Sequence, residues 1–379
     1  MPEAVIVDVI RTPSGRGKHG GALSAEHPVD LLASVLRALV DRSGLDPALV
    51  DDVIGGCVSQ AGTQAVNVTR NAVLAAGFPV SVPGVTIDRQ CGSSQQAAHF
   101  AAQGVIAGQY DIVIACGVEM MSRNPINYAT NGLDPWGSAA DRFDFVGQGV
   151  SAELIAARWG ISRDQLDAFA ERSHQLAASA DFSSEILHGV DETIRPSTTV
   201  ESLAALTPAF HTPELEARFP EIAWNITAGN SSPLTDGASA VLIMSAEKAA
   251  QLGLTPRARF HSFAVVGSDP IEMLTGILPA TRRILERSGL ALDEIDAYEI
   301  NEAFASVPLA WLREFDADPA RLNPRGGAIA LGHALGSSGT RLLSTLVTDL
   351  EQGGGRYGLQ VMCEGAGMAN ATIIESLAA

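Results

Sequence analysis

The chain repeats itself. Ser43-Gly44-Leu45 returns as Ser288-Gly289-Leu290, 245 residues on, and Gly92-Ser93-Ser94 returns as Gly336-Ser337-Ser338, 244 residues on. Tyr110 and Cys116 are matched by Tyr357 and Cys363 at an offset of 247. Self-similarity at nearly one long offset means that a supersecondary unit is built twice, so the last third must fold as the first part does.

The unit itself reads as alternating strands and helices. Ala4 to Ile10 predicts a strand, Val29 to Arg42 a helix, Val50 to Val58 a strand and Asn67 to Ala76 a helix. Val85-Thr86-Ile87 then leads into an alanine-rich helix, and Asp111 to Cys116 predicts a further strand. This order implies βαβ units and a parallel sheet with helices on its faces. Abundant glycine and few aromatics, 37 glycines and 5% Phe, Trp and Tyr, suit the close packing that such layers need.

The two copies differ after their last strand. Beyond Cys363 another strand, Ala371 to Leu377, comes almost at once, whereas the partner of Cys116 is Ala238 to Ser245. The stretch from about Met120 to Trp224 is therefore an excursion from the first copy, with a loop-rich part, Ser122 to Val146, and a helix from Ser162 to Ala180. Ser162 with Asp164 in the first turn is a helix-start signature. The expected division is 1–118 plus 226–250 as one half, 119–225 as an inserted loop domain, and 251–379 as the other half. Excursions over the strand ends of such sheets commonly build ligand clefts.

The formal charge of −18 excludes nucleic acid as the natural partner. With Lys18 and Lys248 the only lysines, any anionic substrate must be met by arginine. Cys57, Cys91, Cys116 and Cys363 lack metal-ligand spacing, so no metal site is expected, and neither a signal peptide nor a membrane-spanning run is visible. Free thiols and a cytoplasmic setting are the expectation.

Four places carry candidate chemistry. Cys91 falls where a strand feeds a helix, and the unpaired N–H groups of a helix N-terminus favour a thiolate, though a buried structural cysteine reads the same way. Asn301-Glu302 follow the strand Ile295 to Ile300, at a strand end where open α/β sheets bind ligands, or as an N-cap and a first-turn acid. His333, framed by glycine in NPRGGAIALGHALGSSGTR, precedes the repeat of the Cys91 helix and in a two-fold arrangement would approach Cys91 across the centre. Cys363 lies at a strand end beside the flexible loop Glu364-Gly365-Ala366-Gly367. Cys57 and Cys116 read as buried structural thiols.

Taken in order, RQCGSSQQA, GVEMMS, ITAGNSSPLTDGASAV, NEAFA, GGAIALGH and CEGAG resemble the thiolase family over essentially the whole chain. The resemblance implies a five-layered α/β/α/β/α fold of two duplicated halves with an inserted loop domain. It implies reversible acyl transfer, in which a 3-oxoacyl-CoA and CoA give acetyl-CoA and a shortened acyl-CoA. By motif, Cys91 is the acylated nucleophile, Cys363 the acid/base, His333 the activator of Cys91, and Asn301 the holder of a water in the oxyanion site. The N–H groups of Cys91 and Gly365 are similar to a second oxyanion hole. Arg195, Ser202 and Ser232 correspond to coenzyme A contacts, and Arg195 meets the arginine requirement. Coenzyme A enters as a substrate with no tightly bound cofactor, and a homodimer or homotetramer is implied.

Three residues depart from the family pattern: Ala334 stands where proline usually follows the histidine, Ala366 replaces a glycine of the glycine-rich ending, and Pro233 replaces a glycine after the motif serine. None removes a reacting atom. Two other enzyme readings fit a nucleophilic cysteine with a histidine, a decarboxylating ketoacyl synthase and an acyl-CoA thioesterase. The second cysteine and the NEAFA stretch favour thiolase.

Overall fold

In the computed structural model, residues 2–378 are described. The first half contributes β1 (Ala4–Arg11), β2 (Gly15–Arg16), α1 (Pro28–Ser43), β3 (Asp52–Gly56), α2 (Val68–Ala75), β4 (Val85–Ile87), α3 (Ser93–Ile106) and β5 (Ile112–Met120). The excursion carries α4 (Gln148–Arg158), α5 (Arg163–Ser179), α6 (Val200–Ala204) and α7 (Pro213–Arg218) before β6 (Thr235–Ser245) and α8 (Ala246–Leu252) close the half. The second half runs β7 (Ala258–Gly267), α9 (Ile277–Ser288), β8 (Ala297–Ile300), α10 (Ser306–Phe315), α11 (Ala328–Leu331), α12 (Ser338–Gly353), β9 (Tyr357–Glu364) and β10 (Met368–Ser376).

The strands hydrogen-bond in the order β4-β3-β5-β6-β1-β7-β10-β9-β8. Only two Cα pairs join β1 to β7, Val5 to Arg259 and Ile6 to Ala258, and there one half gives way to the other. Five layers result. Helices α1 and α2 cover the outer face of the first set of strands, α3 and α12 lie in the middle, and α9 and α10 cover the second set. The all-parallel expectation holds for β3 with β4 and β5 and for β8 with β9, while β6, β1, β7 and β10 pair antiparallel. Returning strands that need no crossover helix are free to run antiparallel.

Local chemistry explains the repeat and corrects its register. Helices α1 and α9 both end on a left-handed glycine, Gly44 at φ 63° and Gly289 at φ 73°. The Asp51 carboxylate accepts from the N–H groups of Asp111 and Ile112, and Asp296 accepts in the same way from Arg356 and Tyr357. In the parallel ladders Asp52 faces Val113, and Ala297 faces Gly358. Each of these pairs lies 245 positions apart, so the counterpart of Cys363 is Val118 and not Cys116. The matching tyrosines and cysteines at an offset of 247 are a coincidence of composition that the hydrogen-bonded register overrides.

The excursion helix α5 begins as expected, with a reciprocal capping box between Ser162 and Gln165. In the middle layer α3 and α12 cross at Gly339, where a Cβ would lie 2.0 Å from the Gln95 nitrogen. Thr340 N–H donates to Ser94 Oγ at 3.0 Å beside that crossing. The starts of the two central helices, one from each half, are thereby held together.

Candidate active site

Cys91 immediately precedes Gly92, the N-cap of α3, and is 3% exposed. Its side chain packs in a small cluster with Leu335, Leu342 and Met362. Those neighbours place it beside the His333 segment, the start of α12 and the residue preceding Cys363. Cys363 is fully buried near the end of β9 and lies close enough to Cys91 to oppose its ionisation. Asn301 follows β8, its N–H donating to Val361 O at 3.0 Å, so Asn301 and Cys363 stand at the C-terminal ends of adjacent parallel strands. Asn301 is not an N-cap, because α10 starts only at Ser306. Its buried amide has neither nitrogen nor oxygen in hydrogen-bonding geometry with the chain, while its nearness to Cys363 favours that thiolate.

Three contacts orient His333. Its N–H donates to Thr235 Oγ1 at 2.9 Å, and Thr235 Oγ1 donates to Pro233 O at 2.8 Å, so Pro233 belongs to the support of the histidine. The ring Nδ1 lies 2.6 Å from Ser338 Oγ, and Ser338 Oγ donates to Ala334 O at 2.8 Å. A hydroxyl has one proton, and here it is committed to Ala334. Nδ1 must then carry the ring hydrogen and donate, which leaves Nε2 as a bare acceptor. Nε2 is buried with no partner among the described residues.

Burial governs the electrostatics. It pulls the His333 pKa down to about 3, with the Arg341 charge assisting, so the ring is neutral. Burial pushes the Cys363 thiol up to about 12, with Glu364 adding to the rise. Cys91 is pushed well above the usual thiol range, first by burial and then by Cys363 and Glu364. The helix start was expected to favour a thiolate at Cys91, and desolvation overrides it. Both thiols rest protonated, and a base must remove the proton at the moment of attack.

Two buried carboxylates hold this frame: Glu119, which the sequence reading did not single out, and Glu302, named there beside Asn301 as a strand-end residue or a first-turn acid. Glu119 accepts from Val58 N, Ser59 N, Gln64 Nε2 and Gly336 N at 2.9 to 3.1 Å, tying the first half to the loop that carries His333. Glu302 accepts from Ser173 Oγ, Asn323 Nδ2 and Ile329 N, joining the Asn301 turn to α5 and α11. Both lie inside family motifs, GVEMMS and NEAFA, and the signal that could have found Glu119 was an acid within an apolar run.

The remaining expected residues are spread out. Gly365 opens the turn between β9 and β10, with Gln90 and Gln148 beside it. Ser232 is half-buried and its N–H donates to Ala303 O at 3.0 Å, so it adjoins the Asn301 turn. Arg195 is exposed on the excursion, its N–H donating to His174 Nδ1 at 3.1 Å. Ser202 is exposed and shares a capping box with Thr199 at the start of α6.

Like halves, and a buried centre of two thiols, a neutral imidazole with a free Nε2 and an unpartnered amide, make up a cysteine-dependent acyl-transfer enzyme. The chain belongs to the thiolase family: residues 4–247 match the thiolase N-terminal domain and residues 254–376 the thiolase C-terminal domain. It is 46% identical over 400 residues to a steroid 3-ketoacyl-CoA thiolase of Mycobacterium tuberculosis, covering 100% of this chain and 95% of the relative. It is 43% identical over 399 residues to a 3-ketoacyl-CoA thiolase of Aliivibrio salmonicida, covering 99% and 100%. The crystal structure of the Bacillus anthracis acetyl-CoA acetyltransferase superposes with a TM-score of 0.87 at 35% identity, covering 100% of this chain and 99% of that one. Its activity is that of a thiolase, an acyltransferase, and the ketoacyl synthase and thioesterase readings fall away.

Proposed function

We propose that the site cleaves a 3-oxoacyl-CoA with coenzyme A, and runs the reverse condensation, with residues in these roles. Cys91 gives its proton to His333 Nε2, and its sulfur attacks the 3-oxo carbon. The bond between C2 and C3 breaks, and the acetyl-CoA enolate takes the Cys363 proton at carbon. Coenzyme A then passes its thiol proton to the Cys363 thiolate and attacks the acyl group on Cys91. Acyl-CoA leaves, and Cys91 recovers its proton from His333. Asn301, through its unpartnered amide, holds a water that with His333 meets the thioester oxygen as it takes the enolate charge, and the N–H groups of Cys91 and Gly365 meet the alkoxide oxygen of the tetrahedral intermediate on Cys91; one such donor is worth about 10²–10³ in rate.

What supports this reading is a buried His333 ring with no partner for Nε2 among the described residues, two residues before the Leu335 that packs on Cys91, with Cys363 near enough to Cys91 to oppose its ionisation. Arg195, Ser202 and Ser232 are the contacts for coenzyme A, and residues 119–225 form the cover over it. Among the described residues no helix is long and apolar enough to cross a membrane. Cytoplasmic acyl-chain breakdown by a homodimer or homotetramer is the setting we propose. The name of the Mycobacterium tuberculosis relative makes ring-bearing acyl chains worth including among the substrates.

A thiolysis assay with 3-oxoacyl-CoA substrates of graded length tests the proposal. Loss of substrate on addition of coenzyme A is expected with the native protein, and none with Cys91→Ala. Turnover surviving in that variant overturns the assignment of the nucleophile.

A further inference from the structure

Glu364 has no place in the chemistry above, yet it is a fully buried carboxyl that follows Cys363 in sequence and meets Gly92, the neighbour of Cys91. It follows Cys363 at the end of β9, and its exposure is 0%. Neither carboxyl oxygen has a hydrogen-bond partner among the described residues. Its Oε1 presses on Gly92, the residue after Cys91: a Cβ added there would lie 1.8 Å from that oxygen. Any other residue at position 92 would displace the carboxyl.

The repeat shows that this placement is not accidental. At the offset of 245, Glu364 is the counterpart of Glu119, and the repeated Gly-Ser-Ser pairs Gly92, which Glu364 meets, with Gly336, which Glu119 meets. Glu119 accepts the Gly336 N–H at 2.9 Å, so each glutamate reaches across the centre to the start of the other half's central helix. Glu119 is saturated with donors, whereas Glu364 arrives at the same place with none. A buried carboxyl without donors costs several kcal/mol when ionised, and natural chains keep such groups where they act.

We propose that Glu364 is a positioning residue for charge: it is the third titrating member of the Cys91 and Cys363 site, and its ionisation opposes formation of the Cys91 thiolate. The inference rests on the thiolase reading only for its consequence in turnover. The groups facing it are few. Asp88 and Arg89 lie on the segment before Cys91, Cys91 and Cys363 on the two sides, and Met368 opposite on β10. Glu119 adds its charge on Cys91 from β5. Burial raises the Glu364 carboxyl, Arg89 opposes that rise and Asp88 adds to it. A carboxylic acid still loses its proton before a thiol in the same surroundings, since it starts about four units lower. As pH rises, the charge on Glu364 therefore comes first and holds Cys91 as the thiol. With Glu364 protonated, transfer of the Cys91 proton to His333 is opposed by one charge fewer.

The test is the pH dependence of Cys91 alkylation by iodoacetamide, followed by mass spectrometry of the Cys91 peptide, in native protein, Glu364→Gln and Glu364→Met. This readout needs no turnover, so it stands apart from any failure of the proposed substrate. Removing the charge is expected to move the rise in alkylation to lower pH, with the rate at pH 8 higher by about tenfold, one pKa unit. Both variants are expected to unfold at higher temperature than the native chain, because an unpaired buried acid is removed. Profiles that superimpose on the native one, even with altered melting temperature, overturn the proposal by showing a purely structural carboxyl. Failure of both variants to fold overturns it too, because the carboxyl would then be making contacts on which the fold depends.

Discussion

The two halves carry the same residue type near the ends of their homologous strands and use it in opposite ways. Glu119, one residue before the end of β5, is a hydrogen-bonded clamp, four donors on one carboxylate, and Glu364, at the end of β9, has no donor among the described residues. The same division runs through the other equivalent positions. Gly56, at the end of β3, has no side chain, and a Cβ there would lie 2.4 Å from Ser94 N; its counterpart after β8 is Asn301. Gly92, next to Cys91 in the first half, answers to Gly336 in the second. Duplication supplied two equal frames, and the chemistry occupies one side of their shared centre while the other side is closed by packing. What a residue does in this fold depends on which half holds it.

The largest break in that comparison is expected from the clamp. Glu119→Ala leaves three backbone N–H groups and one amide without an acceptor in a dry interior, at a cost of about 3–5 kcal/mol of stability, measured by chemical denaturation. The equivalent change in the other half, Glu364→Met, is expected to stabilise. Next comes the hydroxyl at the start of each central helix. Ser338 fixes the His333 tautomer, while its counterpart Ser93 accepts from Arg89 N and donates to Gln90 O. Ser338→Ala is expected to lower kcat by about 10² through loss of an oriented base, and Ser93→Ala to alter melting temperature with kcat retained. Equal losses of kcat in both would erase the distinction between the halves.

The sequence carried the architecture because a duplication leaves landmarks wherever local physics repeats, as at Gly44 and Gly289, where only a left-handed residue ends the helix. It carried Cys91, His333, Asn301 and Cys363 because each lies at an element end within a recognisable motif. It did not carry Glu119 or Glu364. Their roles depend on hydrogen bonds, made or missing, across the middle layer, and nothing in a linear pattern says which of two equivalent acids finds donors. The offset of 247 pairing Cys116 with Cys363 hid the equivalence, since the two-residue error moved every side chain of the strand along while keeping it on the same face. Nor could a helix-start argument foresee that burial would outweigh the dipole at Cys91.

A smaller effect separates α3 from α12 in their titration. His99, on α3, is fully buried with Nε2 2.7 Å from Thr372 Oγ1, and its counterpart on α12 is Ser344, which does not titrate. Burial, with help from Arg89, lowers the His99 pKa to about 3, against about 6.5 for an exposed ring. Folding therefore keeps the ring neutral, and the stability tied to it is complete above about pH 6.5 and lost as pH falls toward about 3. In that window the unfolded chain holds one proton more. His99→Met is expected to flatten the slope of unfolding free energy between pH 6 and pH 4 by about 1.4 kcal/mol per pH unit, and Ser344→Ala to leave it unchanged. An unaltered slope in His99→Met would mean that the ring is already protonated in the folded protein.

The smallest effect lies where the halves part. After Glu119 the first half departs into the excursion, while after Glu364 the second turns back through Gly365-Ala366-Gly367 to Met368. Ala366 holds φ 62°, a left-handed conformation that a Cβ disfavours by about 1–2 kcal/mol. Glycine relieves that strain but gives the unfolded chain more freedom, worth about 0.4–1 kcal/mol in the other direction. Ala366→Gly is thus expected to stabilise by about 1 kcal/mol at most. Thermal unfolding beside a thiolysis assay separates two roles for the strain: a melting temperature that rises with kcat retained makes it incidental to the turn. A rise accompanied by a fall in kcat would instead show that the strained turn aims the Gly365 N–H into the site, a demand not placed on the first half, whose turn over 121–123 leads into the excursion.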